Sequence, residues 1–158
     1  MSAKSVRFRE MTEEEYLQYS EFNIQNYASE RARHFKRPFE EELATAKEQV
    51  GELLKDGLHT KAHFISKIID AENGEAVGHI WFHVNEAKKS AFLYDIMVEE
   101  GFRGKGYGKA ALHELEVRLR EMGIGQVALH VFADNNLAIS LYSKQGYYVA
   151  SHNMQKDL

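Results

Sequence analysis

Arg103-Gly104-Lys105-Gly106-Tyr107-Gly108 carries glycine at three alternate positions, between the apolar run Ala91–Val98 and the helical pattern Lys109–Met122. Glycines so spaced clear side chains from a turn and let successive backbone N–H groups converge on one point. Together with the positive end of the helix that follows, those groups make an anion site suited to phosphate. Arg103 and Lys105 add charge. A strand, a basic glycine turn and a helix in succession are the parts of a pyrophosphate grip.

Other phosphate motifs fit less well. Gly106-x-Gly108-x-x-Ala111 matches the dinucleotide fingerprint. Its turn, however, starts several residues after Val98, and the next strand ends in Val131-Phe132-Ala133 where a ribose-binding acid belongs. Ala110 after Lys109 excludes a P-loop. His79 and His83 share one strand face without an evident third ligand, so packed or solvent-facing histidines are expected there, not a metal pair. The chain has no cysteine, which removes disulfides, thiolate metal sites and a cysteine nucleophile.

The elements that must position the turn are legible from periodicity. Val6–Arg9 reads as a short strand. Thr12 before Glu13-Glu14-Glu15 gives an N-cap with Glu15 at the capping-box spacing, and Tyr16, Tyr19, Phe22 or Asn23, and Tyr27 continue a helical stripe. The basic stretch Arg31–Arg37 loses the pattern and predicts a loop. Pro38, the one proline, suits the start of a second helix from Phe39 to about Lys55. His63–Asp70 and Ala76–Val84, joined through Asn73-Gly74, predict an antiparallel hairpin. Ala91–Val98 is the next strand. After the helix Lys109–Met122 come a strand Gln126–Phe132, a short helix Asn136–Lys144 and a closing strand Tyr147–Met154. An antiparallel meander followed by one strand–helix–strand crossover sets Ala91–Val98 beside Gln126–Phe132 in parallel.

At 158 residues, 44% apolar and 28% charged, the chain fits one globular domain over 1–158 with a real core. A formal charge of -4 gives no general reason for nucleic-acid binding. The first ten residues carry no apolar core of an export signal, and no later run is long enough to span a bilayer, so a cytoplasmic protein without a membrane partner is expected.

This order, with Arg103–Gly108 at the strand-to-helix turn, resembles the GNAT superfamily of acyl-coenzyme A-dependent N-acetyltransferases. The family's Gln/Arg-x-x-Gly-x-Gly/Ala motif falls on Arg103, Gly106 and Gly108. Its Asn-x-x-Ala-x-x-Leu-Tyr-x-x-x-Gly-Phe/Tyr segment is matched at Asn135, Ala138, Leu141, Tyr142, Gly146 and Tyr147. The clear resemblance runs from about Glu75 to the C-terminus. It implies a mixed α/β fold, with a mostly antiparallel sheet flanked by helices and one parallel strand pair splayed around the acyl-CoA site. It also implies acetyl-CoA as cosubstrate, with no metal. Backbone groups of Ile96, Met97 and Val98 would bond the acetyl carbonyl and pantetheine arm. Amides of Arg103, Gly104, Lys105, Gly106, Tyr107, Gly108 and Lys109 would hold the pyrophosphate. Asn135 would hydrogen-bond the pantetheine region, and Tyr142 would sit near the thioester sulfur. Members of the family are often homodimers, an assembly the sequence leaves unassigned.

Acetyl transfer from a thioester to a primary amine needs a deprotonated amine, two reactants held together and a stabilised thiolate. Tyr142 is a reasonable acid for the thiolate. Asp95 is the carboxylate available on the strand before the glycine turn, but Phe92 and Tyr94 occupy the alternate positions, so Asp95 points to the opposite face unless a bulge re-aims it. His130 on the next strand is the other candidate base, and loss of the proton to solvent is the default. Without a cysteine nucleophile, direct attack in a ternary complex is expected. The acceptor, whether a small metabolite, polyamine, antibiotic-like amine, peptide N-terminus or lysine, is not chosen by the sequence. A non-catalytic acyl-CoA sensor on the same fold is the alternative, and transfer of a longer acyl group a third reading.

Overall fold

Thr12 opens α1 (Glu13–Phe35) with a reciprocal cap: its hydroxyl accepts from the Glu15 amide at 3.1 Å, and the Glu15 carboxylate accepts from the Thr12 amide at 2.9 Å. Arg9 forks onto the same carboxylate with two 3.0 Å bonds and, with the Thr12 amide, holds it down at about 2. The computed structural model describes residues 3–158; Met1 and Ser2, which the leader reading included, lie outside the described residues.

α1 does not stop at the basic stretch. It continues through Arg31 to Phe35 and closes at Lys36, whose φ of 54° is left-handed. Charge pairing replaces the missing apolar stripe there. Arg31 Nε donates 2.8 Å to Glu42, a carboxylate 5% exposed on α2 (Phe39–Leu53), while its guanidinium lies 4.8 Å from the Phe35 ring. The predicted loop is therefore helix, because the residues that looked solvated are the ones that join α1 to α2.

The sheet runs in the order β1 (Val6–Glu10), β2 (His63–Asp70), β3 (Ala76–Asn85), β4 (Ser90–Val98), β5 (Gln126–Leu129), antiparallel except for the parallel β4–β5 pair. α3 (Tyr107–Glu121), starting two residues earlier than its apolar pattern, makes the crossover between β4 and β5. α4 (Asn136–Lys144) follows β5. The result is the expected mixed α/β fold with helices flanking a mostly antiparallel sheet.

Each face of the sheet has its own core. Ile68, Ile80, Phe82 and Leu93 pack with Leu112 and Leu115 of α3. Ile65 and Trp81 pack with Tyr16 and Tyr19 of α1 and with Leu54 beyond α2. Full burial stabilises each large apolar side chain by about 1.5–3 kcal/mol, so both cores hold the sheet between helices.

Two expectations fail at one edge. β5 ends at Leu129, three residues short of Phe132, and the closing strand over 147–154 does not form. The β4–β5 register stops at Leu93 opposite Leu129, so nothing described pairs with residues 130–132.

Candidate active site

The splay of β4 from β5 is the origin of the site. β3 accompanies β4 to its end, with Gly78 opposite Val98, but β5 leaves after Leu93. On that side the backbone of residues 94–98 forms an open edge; its residues Tyr94 to Met97, Ile96 among them, line a cavity of about 980 Å³, and Val98 lies just beyond that lining. α1, α2 and residues 129–132 complete the wall.

A bulge decides what that edge presents. Trp81 is opposite Asp95 while Phe82 is opposite Leu93, so Tyr94 is an extra residue on β4. Strict alternation would send Asp95 into the α3 core with Leu93. The bulge instead puts Tyr94 and Asp95 together on the α1 face, where Tyr94 stacks on Trp81 with ring centroids 4.5 Å apart. The bulge, the exception under which Asp95 was expected to be re-aimed, is therefore present.

Three groups surround its carboxylate, all at Oδ2. The Tyr19 hydroxyl donates at 2.8 Å and the Asn23 amide at 3.3 Å. His79 Nε2 lies 2.9 Å away, out of line for a hydrogen bond, and makes none among the described residues. None of these contacts falls on Oδ1. Burial and the neighbouring carboxylate raise the Tyr19 phenol well above its ordinary value. His79 packs against the Tyr19 ring, centroids 4.6 Å apart, whereas His83 packs against His63 at 4.5 Å, so the two strand histidines enter different clusters.

Tyr142 enters the same cavity from α4, half-buried. Burial chiefly, and then the charge of Asp95, push its phenol up, so it keeps its proton at neutral pH. His130 lines the cavity beyond the paired part of β5. Partial loss of water, then the positive charges of Arg31 and His34, lower its imidazole. Asn135 caps α4, its Oδ1 accepting from the Ala138 amide at 3.2 Å, and also borders the cavity.

After β4 the chain turns through Gly104 (φ 73°) and Gly106 (φ 94°), left-handed conformations that glycine adopts without strain. Gly106 is the N-cap of α3 and has no side chain to cap it, which leaves first-turn amides at Tyr107, Gly108 and Lys109 without a side-chain acceptor among the described residues. That donor set suits a diphosphate. Arg103 turns back, its Nε donating 2.8 Å to the Val98 carbonyl, so its charge secures the turn. Lys105 lies over the Phe102 ring at 5.9 Å. Tyr107, buried, donates from its hydroxyl to Asp70 at the end of β2, pinning the start of α3 to the sheet.

At the cleft mouth Asp134 joins β5's exit to α1. His34 Nε2 and Arg33 each reach it at 2.6 Å, and Arg33 also donates 2.8 Å to Glu30. Glu30, Glu52, Asp95 and Asp134 against Arg33 leave the wall acidic.

Tyr19 and Asn23, four residues apart on one helix face, and His79 were legible only as core or surface residues. Their partner Asp95 is more than seventy residues distant from α1 and reaches them through an irregularity no periodicity shows.

A sheet opened between two parallel strands, with an uncapped helix start beyond the glycine turn, defines an acetyltransferase of the GNAT type. Residues 24–147 match the family described as Acetyltransferase (GNAT) family, and the chain belongs to that family. It is 32% identical over 151 residues to the uncharacterized N-acetyltransferase YdgE of Bacillus subtilis, covering 94% of this chain and 96% of that protein. It is 33% identical over 156 residues to YycN of the same organism, named in the same way, covering 98% of this chain and 99% of that protein. The crystal structure of YycN superposes with a TM-score of 0.90, covering 98% of this chain and 99% of that one. The spermidine N-acetyltransferase of Vibrio cholerae, crystallised with CoA and spermine, has a TM-score of 0.67 at 17% identity over 98% of this chain and 87% of that one, a likeness of fold.

Proposed function

We propose that the chain is an acetyl-CoA-dependent N-acetyltransferase, acting as one domain on a cationic primary amine by direct attack in a ternary complex. The observation that carries this reading is the entry of Asp95 and Tyr142 into one cavity from opposite secondary structures, beside an unpaired strand edge. Acetyl-CoA supplies the activated acetyl thioester. The open edge at Ile96, Met97 and Val98 bonds its pantetheine arm and acetyl carbonyl as an added strand would. Amides from Arg103 through Gly104, Lys105, Gly106, Tyr107, Gly108 and Lys109 receive its diphosphate, and the Nδ2 group of Asn135, without a partner among the described residues, donates to the arm.

Asp95 holds the acceptor. Tyr19 and Asn23 fix Oδ2 and leave Oδ1 to take the ammonium proton. Asp95 is favoured over His130 as base because β3 holds its strand as far as Val98, whereas His130 lies past the last paired residue of β5. Tyr142, with its proton retained, donates to the departing thiolate. The acidic wall favours a cationic acceptor.

A panel of primary amines with acetyl-CoA, followed by release of free thiol, tests the reading. Turnover with at least one cationic amine is expected, lowered about 100-fold or more in Asp95→Asn. Tight acetyl-CoA binding with no thiol release from any amine would overturn it in favour of a sensor.

A further inference from the structure

The bulge that re-aims Asp95 also sets an aromatic face beside it. Tyr94 and Asp95 are consecutive residues turned to the same side of β4, so their α carbons are about 3.8 Å apart. Trp81 covers one face of Tyr94, with ring centroids 4.5 Å apart and planes 18° from parallel. Phe92 stands edge-on to Tyr94 at 4.8 Å and 62°. Tyr94 and Phe92 are half-buried, and both line the cavity with Trp81 and with Val50 and Leu53 of α2. The transfer reaction described above uses none of these side chains.

Their place along β4 decides what they face. The cosubstrate arm belongs to the edge at Ile96, Met97 and Val98, on the far side of Asp95. Phe92 and Tyr94 precede Asp95 and so fall on the acceptor's side of the carboxylate. Two stacked rings with a third set edge-on form a corner that a further flat ring completes. A chain of ammonium groups fits the wall less well. Glu30 is already engaged by Arg33, and Asp134 by Arg33 and His34, so neither offers a second ammonium an unengaged carboxylate.

We propose that the acceptor carries an aromatic ring on a short tether to its primary amine, and that Tyr94 and Phe92 determine this specificity. The proposal rests on the reading of Asp95 as the base. The ring lies on the uncovered face of Tyr94 and extends the Trp81–Tyr94 stack, while the amine reaches Oδ1 of Asp95. One residue separates the two contacts, so about one to three carbons join ring and nitrogen.

Thiol release from acetyl-CoA is compared for phenethylamine, hexylamine and spermidine. The intact chain is expected to favour phenethylamine in kcat/KM by about 10-fold or more over both others. Tyr94→Leu, which keeps an apolar side chain, is expected to bring phenethylamine down to the hexylamine value with the KM for acetyl-CoA unchanged. Tyr94→Phe is expected to keep the preference. Hexylamine or spermidine used as well as phenethylamine would overturn the proposal, as would a preference that survives Tyr94→Leu. A peptide amide that begins with phenylalanine carries the same ring and tether. Its turnover would assign the ring to a peptide N-terminus and its rejection to a free small amine, and the slot stands in either case.

Calorimetry on the intact chain saturated with CoA needs no variant and separates the slot from the catalytic reading. Phenethylamine bound about 10-fold more tightly than hexylamine, with no amine turned over, would end the catalytic reading and keep the slot. Equal affinities for the two amines would overturn the slot whatever the turnover.

Discussion

The Tyr19 hydroxyl lies 2.8 Å from Asp95 Oδ2, linking the middle of α1 to the bulged stretch of β4 across 76 residues of sequence. This bond aims a carboxylate that the regular pleat would have buried on the other face. Tyr19→Phe keeps the ring and removes the donor, so stability falls by about 1 kcal/mol in chemical denaturation. Turnover falls less than in Asp95→Asn, because Asn23 still holds Oδ2. Equal losses in kcat for the two variants would show that Tyr19 does more than position.

Tyr142→Phe separates binding from chemistry. The phenol, its pKa raised first by burial and then by Asp95, keeps its proton at neutral pH. The variant is expected to bind acetyl-CoA as the parent does in calorimetry and to lose about 100-fold or more in kcat. Unchanged kcat would remove Tyr142 from the reaction.

Gly106→Ala tests the phosphate grip. An added Cβ meets only Lys4 Cγ at 3.8 Å, so the cost is backbone strain at φ 94° and not a clash. About 1–2 kcal/mol of strain lowers Tm by roughly 2–8 °C. Weaker binding of acetyl-CoA should accompany it as the first turn of α3 shifts. A lowered Tm with unchanged affinity would mean that the amides after Gly106 do not hold the diphosphate.

Two histidines are expected to titrate in opposite directions in NMR. The hydrogen bond to Asp134, then that to the Glu30 carbonyl, raises His34 above its ordinary 6.5. Its contribution to stability is therefore full below 6.5 and lost as pH rises through the raised value. Asp134, drawn down to about 2 by Arg33 and then His34, sets the acid limit of the same clasp. His63, partly buried and beside His83, drops to about 4, so its contribution is present above 6.5 and is lost as pH falls towards 4. His34→Gln should abolish the alkaline loss at the cleft mouth, read as faster proteolysis near Phe132 at all pH values. A His34 midpoint at or below 6.5 would dissolve the clasp.

Local chemistry was enough for much of the fold. The Thr12–Glu15 cap, the hairpin through Asn73-Gly74, β4 and the glycine turn each depend on neighbours within a few residues, and each sits where its pattern put it. The family followed from Arg103, Gly106 and Gly108 with the segment Asn135–Tyr147, because a left-handed turn into a helix needs glycine at fixed positions.

Long-range pairing decided the rest. The basic end of α1 is helical because Arg31 finds Glu42 on another helix, a compensation that apolar periodicity does not register. Asp95 faces the cavity because the β3–β4 register slips by one residue, and a bulge arises from pairing between strands. The closing strand failed although its residues favour β structure, since a strand exists only where an edge accepts its hydrogen bonds. Residue types and spacing thus determined the family, and the meeting of distant chain segments determined which side chains face the cavity.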